Sequence, residues 1–171
     1  MDWDYFLFRE DMSELVSALA TRSTLRTLKL AVTLRDSNLS CLASLTGLRE
    51  LTIHGMEQVT VRFYKSKSMQ VCLLLQSLMA LTSLTNLELL GLPNASMLND
   101  ESLLMIARFT KLRVLVLSNT RTTDAILQDF TTLQRLTHLS IASCPAMLDV
   151  ALPLLLPRLQ YLQCGGATCD I

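Results

Sequence analysis

Six times along the chain a leucine is followed three and five positions later by another apolar residue, leucine in most copies and isoleucine or cysteine at some last positions. The copies begin at Leu25, Leu48, Leu84, Leu112, Leu136 and Leu159, at intervals of 23, 36, 28, 24 and 23 residues. Alternation of this kind, as in Leu28-Lys29-Leu30 or Leu115-Val116-Leu117, puts the apolar side chains on one face of a short strand and the intervening ones on the other. Each copy therefore predicts one strand. A repeating unit with one strand per copy makes neighbouring strands parallel, and parallel neighbours need a crossover, usually helical, to bring the chain back to the same edge.

A second pattern fills the crossovers. Asp36, Asp100, Asp124 and Asp149 each stand before apolar residues and precede the next copy's first leucine by 12, 12, 12 and 10 residues. An aspartate in this place predicts a helix N-cap, whose carboxylate accepts the free N–H groups of the first turn and contributes about 1 kcal/mol over alanine. The alternative, a row of metal-binding carboxylates, is disfavoured because the cap already occupies each one.

Strand string, crossover run and the segment Ile141-Ala142-Ser143-Cys144-Pro145 together resemble the cysteine-containing leucine-rich repeats, over roughly residues 25 to 164. The resemblance implies an α/β solenoid, a horseshoe arc of about six repeats with parallel concave strands and convex helices. That subclass is best known from the substrate-binding arms of F-box proteins. Two departures stand out: Cys72 replaces the second repeat's aspartate, and only Cys144 clearly takes the strand-end cysteine position. Only 24 residues precede Leu25, room for one helix rather than an F-box domain. The resemblance thus implies a peptide-binding arm, with the substrate-receptor arm of a ubiquitin ligase as an alternative.

Two domain segments follow, a capping segment over 1–24 and the solenoid over 25–171. In the first, Trp3, Tyr5, Phe6 and Phe8 lead into Met12, Leu15, Val16 and Leu19 at three- and four-residue steps, which predicts an amphipathic helix covering the first repeat. A partner-binding aromatic patch is the competing reading. The long second interval holds an insertion at about 56–68, where Arg62, Lys65 and Lys67 mix with Phe63 and Tyr64. Cations beside aromatic faces suit RNA or an acidic peptide, whereas Val59-Thr60-Val61 suits an extra strand with solvated charges. Beyond the sixth strand lies only Gly165-Gly166-Ala167-Thr168-Cys169-Asp170-Ile171, which predicts an open C-terminal end on which a partner subunit docks.

Charge narrows the function classes. The chain has 15 Lys and Arg against 15 Asp and Glu, so it lacks the overall positive field that binding to a phosphate backbone needs. Nucleic acid is left with the insertion as its only contact, as in an RNA-contacting structural subunit of a ribonucleoprotein. The start Met1-Asp2-Trp3-Asp4 is acidic where a leader would be basic, and no apolar stretch reaches the length of a membrane span; the expectation is an intracellular, cytoplasmic protein. Five cysteines form no CxxC pair and read as reduced core residues. His54 and His138 fall three strand spacings of about 4.8 Å apart, too far to share one reacting atom. With no phosphate loop, zinc-spaced set or nucleophile elbow, the expectation is a protein that is not an enzyme and takes no cofactor and no metal.

What remains is the exposed side of the strands. The residues flanking the core leucines form two columns, Thr27, Glu50, Asn86, Val114, His138, Tyr161 and Lys29, Thr52, Glu88, Val116, Ser140, Gln163. Val114 and Val116 make an apolar centre between the acids Glu50 and Glu88 and the pair His138 and Tyr161. An apolar centre in a polar rim is the anatomy of a protein-binding patch, although two outward valines are also ordinary strand formers. The function expected is a protein–protein interaction module, a scaffold or recognition subunit of a larger assembly.

Overall fold

A computed structural model of the chain describes residues 3–4, 18–19, 24–31, 42–54, 78–96, 98–143, 155–165 and 167–170. They build one eight-stranded sheet whose order in space is the order in sequence. Its strands are β1 (Trp3–Asp4), β2 (Thr27–Ala31), β3 (Glu50–His54), β4 (Leu89–Gly91), β5 (Val114–Val116), β6 (His138–Ala142), β7 (Tyr161–Gly165) and β8 (Ala167–Asp170). All neighbours from β1 to β7 are parallel, and the chain folds as the leucine-rich-repeat solenoid that its pattern predicts.

The register explains the core. Leu28, Leu51, Leu90, Leu115, Leu139 and Leu162 stand side by side across β2 to β7, all buried. Each such leucine contributes about 1.5–3 kcal/mol by leaving water, so the row is a continuous spine rather than six local contacts. Before each strand the chain climbs through turns with an apolar residue at every third position: Leu42, Leu45, Leu48; Leu81, Leu84, Leu87; Ile106, Phe109, Leu112; Phe130, Leu133, Leu136. In every series the third residue's N–H donates to the carbonyl three back, as from Leu87 to Leu84 and from Leu136 to Leu133. Period three is the 3₁₀ period, in which side chains three apart line up, so these turns send one apolar column into the core.

This series corrects the frame of the third repeat. Leu84-Thr85-Asn86-Leu87-Glu88-Leu89 fits the strand string, and so does Leu87-Glu88-Leu89-Leu90-Gly91-Leu92. The structure uses the second: Leu89 pairs with Glu50 and Val114, Leu90 with Leu51 and Leu115, and Gly91 with Thr52 and Val116. A three-residue shift is odd, so it turns every side chain to the opposite face of the strand. Leu90 and Leu92 are therefore buried, Leu89 is half-exposed, and Asn86 and Glu88 leave the columns. Leu84 belongs to the climbing turns, as the equivalent of Leu45, Phe109 and Leu133.

The two convex crossovers among the described residues, between β4 and β5 and between β5 and β6, are shorter and tighter than the helices expected. One holds α1 (Asp100–Leu103) and a 3₁₀ turn over Ile106–Arg108, the next a run of 3₁₀ turns over Asp124–Thr132. Nor are their caps the aspartates. Asn99 caps α1 by accepting from the Ser102 N–H, and Thr123 caps the next run by accepting from the Ala125 N–H. The Asp100 carboxylate instead reaches forward one repeat, taking the Thr123 N–H at 2.8 Å and its hydroxyl at 2.5 Å. One residue inside a helix start, with the cap already filled, its oxygens face the neighbouring crossover. Asp36 and Asp149 lie outside the described residues.

Past the strands the chain turns through left-handed backbone at Asn94, Asn119 and Ser143, each two residues beyond a buried Leu92, Leu117 or Ile141. Short polar side chains tolerate this region better than branched ones. The turns stack: Asn94 N–H donates to the Ser118 carbonyl and Asn119 N–H to the Ala142 carbonyl, both at 2.8 Å.

Both ends differ from expectation. Trp3–Asp4 is a strand, paired with Leu28 and Lys29 of β2, so the opening residues extend the sheet instead of starting a helix; Ala18 and Leu19 are helical, with Leu19 buried. The C-terminal end is not open. β8 folds back antiparallel on β7, pairing Cys164 with Ala167 and Tyr161 with Asp170, and it occupies the edge that the sequence reading left to a partner. Only Gly165 and Gly166 separate Cys164 from Ala167, and a two-residue Gly-Gly connection between strands is a hairpin signal in sequence.

Candidate interaction face

The face of the strands turned away from the leucine spine is the concave side, and the register sets its two columns. The first reads Thr27, Glu50, Leu89, Val114, His138, Tyr161, the second Lys29, Thr52, Gly91, Val116, Ser140, Gln163. At the centre Leu89, Val114 and Val116 are half-exposed around Gly91. A Cβ on Gly91 would sit 3.0 Å from the Thr52 methyl and 3.1 Å from its hydroxyl, so any larger residue would have to push the Thr52 side chain aside. The centre is thus an apolar patch with a low point. Leu89 is the residue that the sequence reading missed, and the overlapping leucine strings hid it.

Two polar groups flank the patch. On one side Ser140 is buried, and its hydroxyl donates to Gln163 Oε1 at 2.8 Å while lying 2.9 Å from the Ser118 hydroxyl. These bonds join β7, β6 and the turn after β5, so Ser140 and Gln163 stiffen the face more than they offer themselves to a ligand. His138 and Tyr161 stack with ring centroids 5.7 Å apart, His138 exposed and Tyr161 half-exposed. On the other side Glu50 is exposed, and Thr27 donates to its carboxylate at 3.3 Å.

Asn86 and Glu88 stand on the rim where the strands begin. Glu88 pairs with Arg49 at 3.5 Å, and Asn86 accepts from the Lys111 ammonium at 2.8 Å while donating to the Thr46 carbonyl. Arg26, Gly47, Arg49, Asn86, Glu88 and Lys111 line a recess of about 220 Å³ there. Further along the same rim are Arg113, Arg135 and Arg158, all exposed. A sequence signal for this rim exists, a cation next to the first leucine in five of the six copies, but it reads as ordinary solvated charge until the strands are aligned.

Arg62, Phe63, Tyr64 and Lys65 of the insertion, and Cys144, lie outside the described residues. Cys164 is a free thiol, half-buried and packed against the core, in register with Ile141. Among the described residues no group of three His, Cys, Asp or Glu is placed to hold a metal ion, and no helix is long and apolar enough to cross a membrane.

No protein-family model matches the chain, and no curated protein sequence matches it. Solved structures do. An internalin (inlF) of Listeria monocytogenes matches 88% of this chain at 22% identity with a TM-score of 0.58, and internalin C2 of the same organism matches 87% at 21% identity with a TM-score of 0.56. The chain spans 37% and 55% of the lengths of those two structures. The likeness is one of fold.

Proposed function

We propose that the chain is a protein-recognition module that holds a partner across its concave face, as a scaffold or receptor unit of a larger assembly. The observation that carries this reading is the exposed apolar centre of Leu89, Val114 and Val116, ringed by Glu50, Thr52, His138 and Tyr161 on a rigid sheet. Interfaces concentrate their energy in such desolvated centres, with a polar surround that excludes water. A solenoid suits the task because its repeats extend one continuous concave surface rather than close a pocket. Two strands, β4 and β5, stand between β3, which carries His54, and β6, which carries His138, so the face presents contacts rather than a reacting pair.

Affinity capture with the wild-type chain and with Leu89→Glu and Val116→Glu tests it. These side chains point away from the core, so both variants should melt like wild type and lose the captured protein, a loss of more than about 1 kcal/mol per residue if each lies in a desolvated contact. A partner retained at full yield by both variants would move the interface off this face.

A further inference from the structure

The rim where the strands begin is charged in a way that the composition conceals. The residues on either side of each first leucine are Thr24 and Arg26, Gly47 and Arg49, Asn86 and Glu88, Lys111 and Arg113, Arg135 and Thr137, and Arg158 and Gln160. Of these twelve positions six are basic and one is acidic. The opposite rim, over 93–96, 118–121 and 142–143, carries a single charge among the described residues, Arg121. A chain that is neutral as a whole therefore has a polarised concave side, positive along one edge.

The positive charge is densest over three adjacent strands. Lys111, Arg135 and Arg158 each stand three residues before the register partners Val114, His138 and Tyr161, with Arg113 between the first of them and β5. Two strand spacings make the row about 10 Å wide. That is close to the Debye length of about 8 Å at physiological salt, so the four charges act on a ligand together. All four are exposed, and among the described residues none pairs with a carboxylate: Lys111 donates to Asn86, and the three arginine side chains carry no hydrogen bond or ion pair. The acids at this end of the strands, Glu50 and Glu88, belong to the β3 and β4 repeats, where Glu88 neutralises Arg49.

We propose that Lys111, Arg113, Arg135 and Arg158 are the docking site for an acidic segment of the protein partner, a run of Asp or Glu beside the apolar residues that cover Leu89, Val114 and Val116. The proposal rests on the recognition reading above and adds the chemistry of the partner. Val114 follows Arg113 directly and His138 lies three residues beyond Arg135, so one ligand reaches both rim and centre. Charge complementarity at a rim chiefly speeds encounter and sets orientation, while the apolar centre holds the complex. A polynucleotide fits less well: none of the twelve rim positions carries an aromatic ring on which a base would stack.

The test uses fluorescence anisotropy at low and physiological salt with three labelled probes: octaglutamate, an octaglutamate followed by Leu-Val-Leu, and an eight-nucleotide oligouridylate. The wild-type chain should bind both acidic peptides, the one with the apolar tail more tightly, and should bind oligouridylate at least tenfold more weakly. Arg113→Glu with Arg135→Glu should weaken both peptides tenfold or more without changing the melting temperature, whereas Leu89→Glu should remove only the gain from the apolar tail. Octaglutamate that fails to bind at low salt, peptide affinity untouched by the double reversal, or oligouridylate bound as tightly as the peptides overturns the proposal. Failure of the rim and failure of the face stay distinct: a captured partner that Leu89→Glu releases and the double reversal retains leaves the concave reading standing and removes the acidic segment.

Discussion

Replacing Asp100 by alanine should loosen the joint between two repeats. The carboxylate accepts the Thr123 N–H at 2.8 Å and the Thr123 hydroxyl at 2.5 Å, and both residues are half-buried. Hydrogen bonds to a charged group contribute about 1.5–3 kcal/mol each when fully buried; at this half-buried pair water replaces part of each, leaving about 1 kcal/mol apiece, so Asp100→Ala should cost about 2 kcal/mol in total. For a chain of this length that is a fall in Tm of roughly 4–8 °C. Asp100→Asn keeps one oxygen for the Thr123 N–H and should lose about half as much. Urea denaturation followed by circular dichroism gives the totals, and a double-mutant cycle with Thr123→Ala isolates the pair, because Thr123 separately caps the following 3₁₀ run. Coupling above about 1 kcal/mol is expected. An Asp100→Ala protein within 0.5 kcal/mol of wild type, or a cycle with no coupling, would refute the inter-repeat tie and return Asp100 to the role of a local, weak cap.

Three further predictions bear on the fold. Leu90→Ala should destabilise by about 3 kcal/mol and Leu89→Ala by under about 1 kcal/mol, an ordering that the other reading of the leucine string reverses; thermal melts of the two variants decide it. Gly91→Ala should cost about 1 kcal/mol by crowding Thr52, and Thr52→Ala in the same chain should recover most of that loss. A chain ended at Gly165 loses β8 and bares the edge of β7, so it should self-associate in sedimentation velocity runs where the full chain stays monomeric; two identical profiles would mean that β8 does not protect the edge.

Much of the layout of the candidate face is legible, residue by residue, in the alternation of its strands. Glu50, Thr52, Val114, Val116, His138, Tyr161 and Gln163 stand in the two columns where the leucine string puts them, because side-chain direction in a strand follows parity alone. Asn86 and Glu88 did not, since two overlapping strings satisfied the same local rule. The Gly-Gly hairpin is written in the chain too, although the same segment predicts an open end when only the repeat pattern is followed.

The sequence by itself determined the repeat, its parallel strands, the leucine spine and the kind of surface that the strands expose. These follow from spacing and polarity, which act between residues a few positions apart. Only the tertiary structure decided the frame of β4, the turn of Asp100 toward the next crossover, the return of β8 on β7 and the alignment of Lys111, Arg113, Arg135 and Arg158 into one edge. Each of these depends on which residues from different repeats become neighbours, and that is settled by burying the whole spine at once, not by any single repeat.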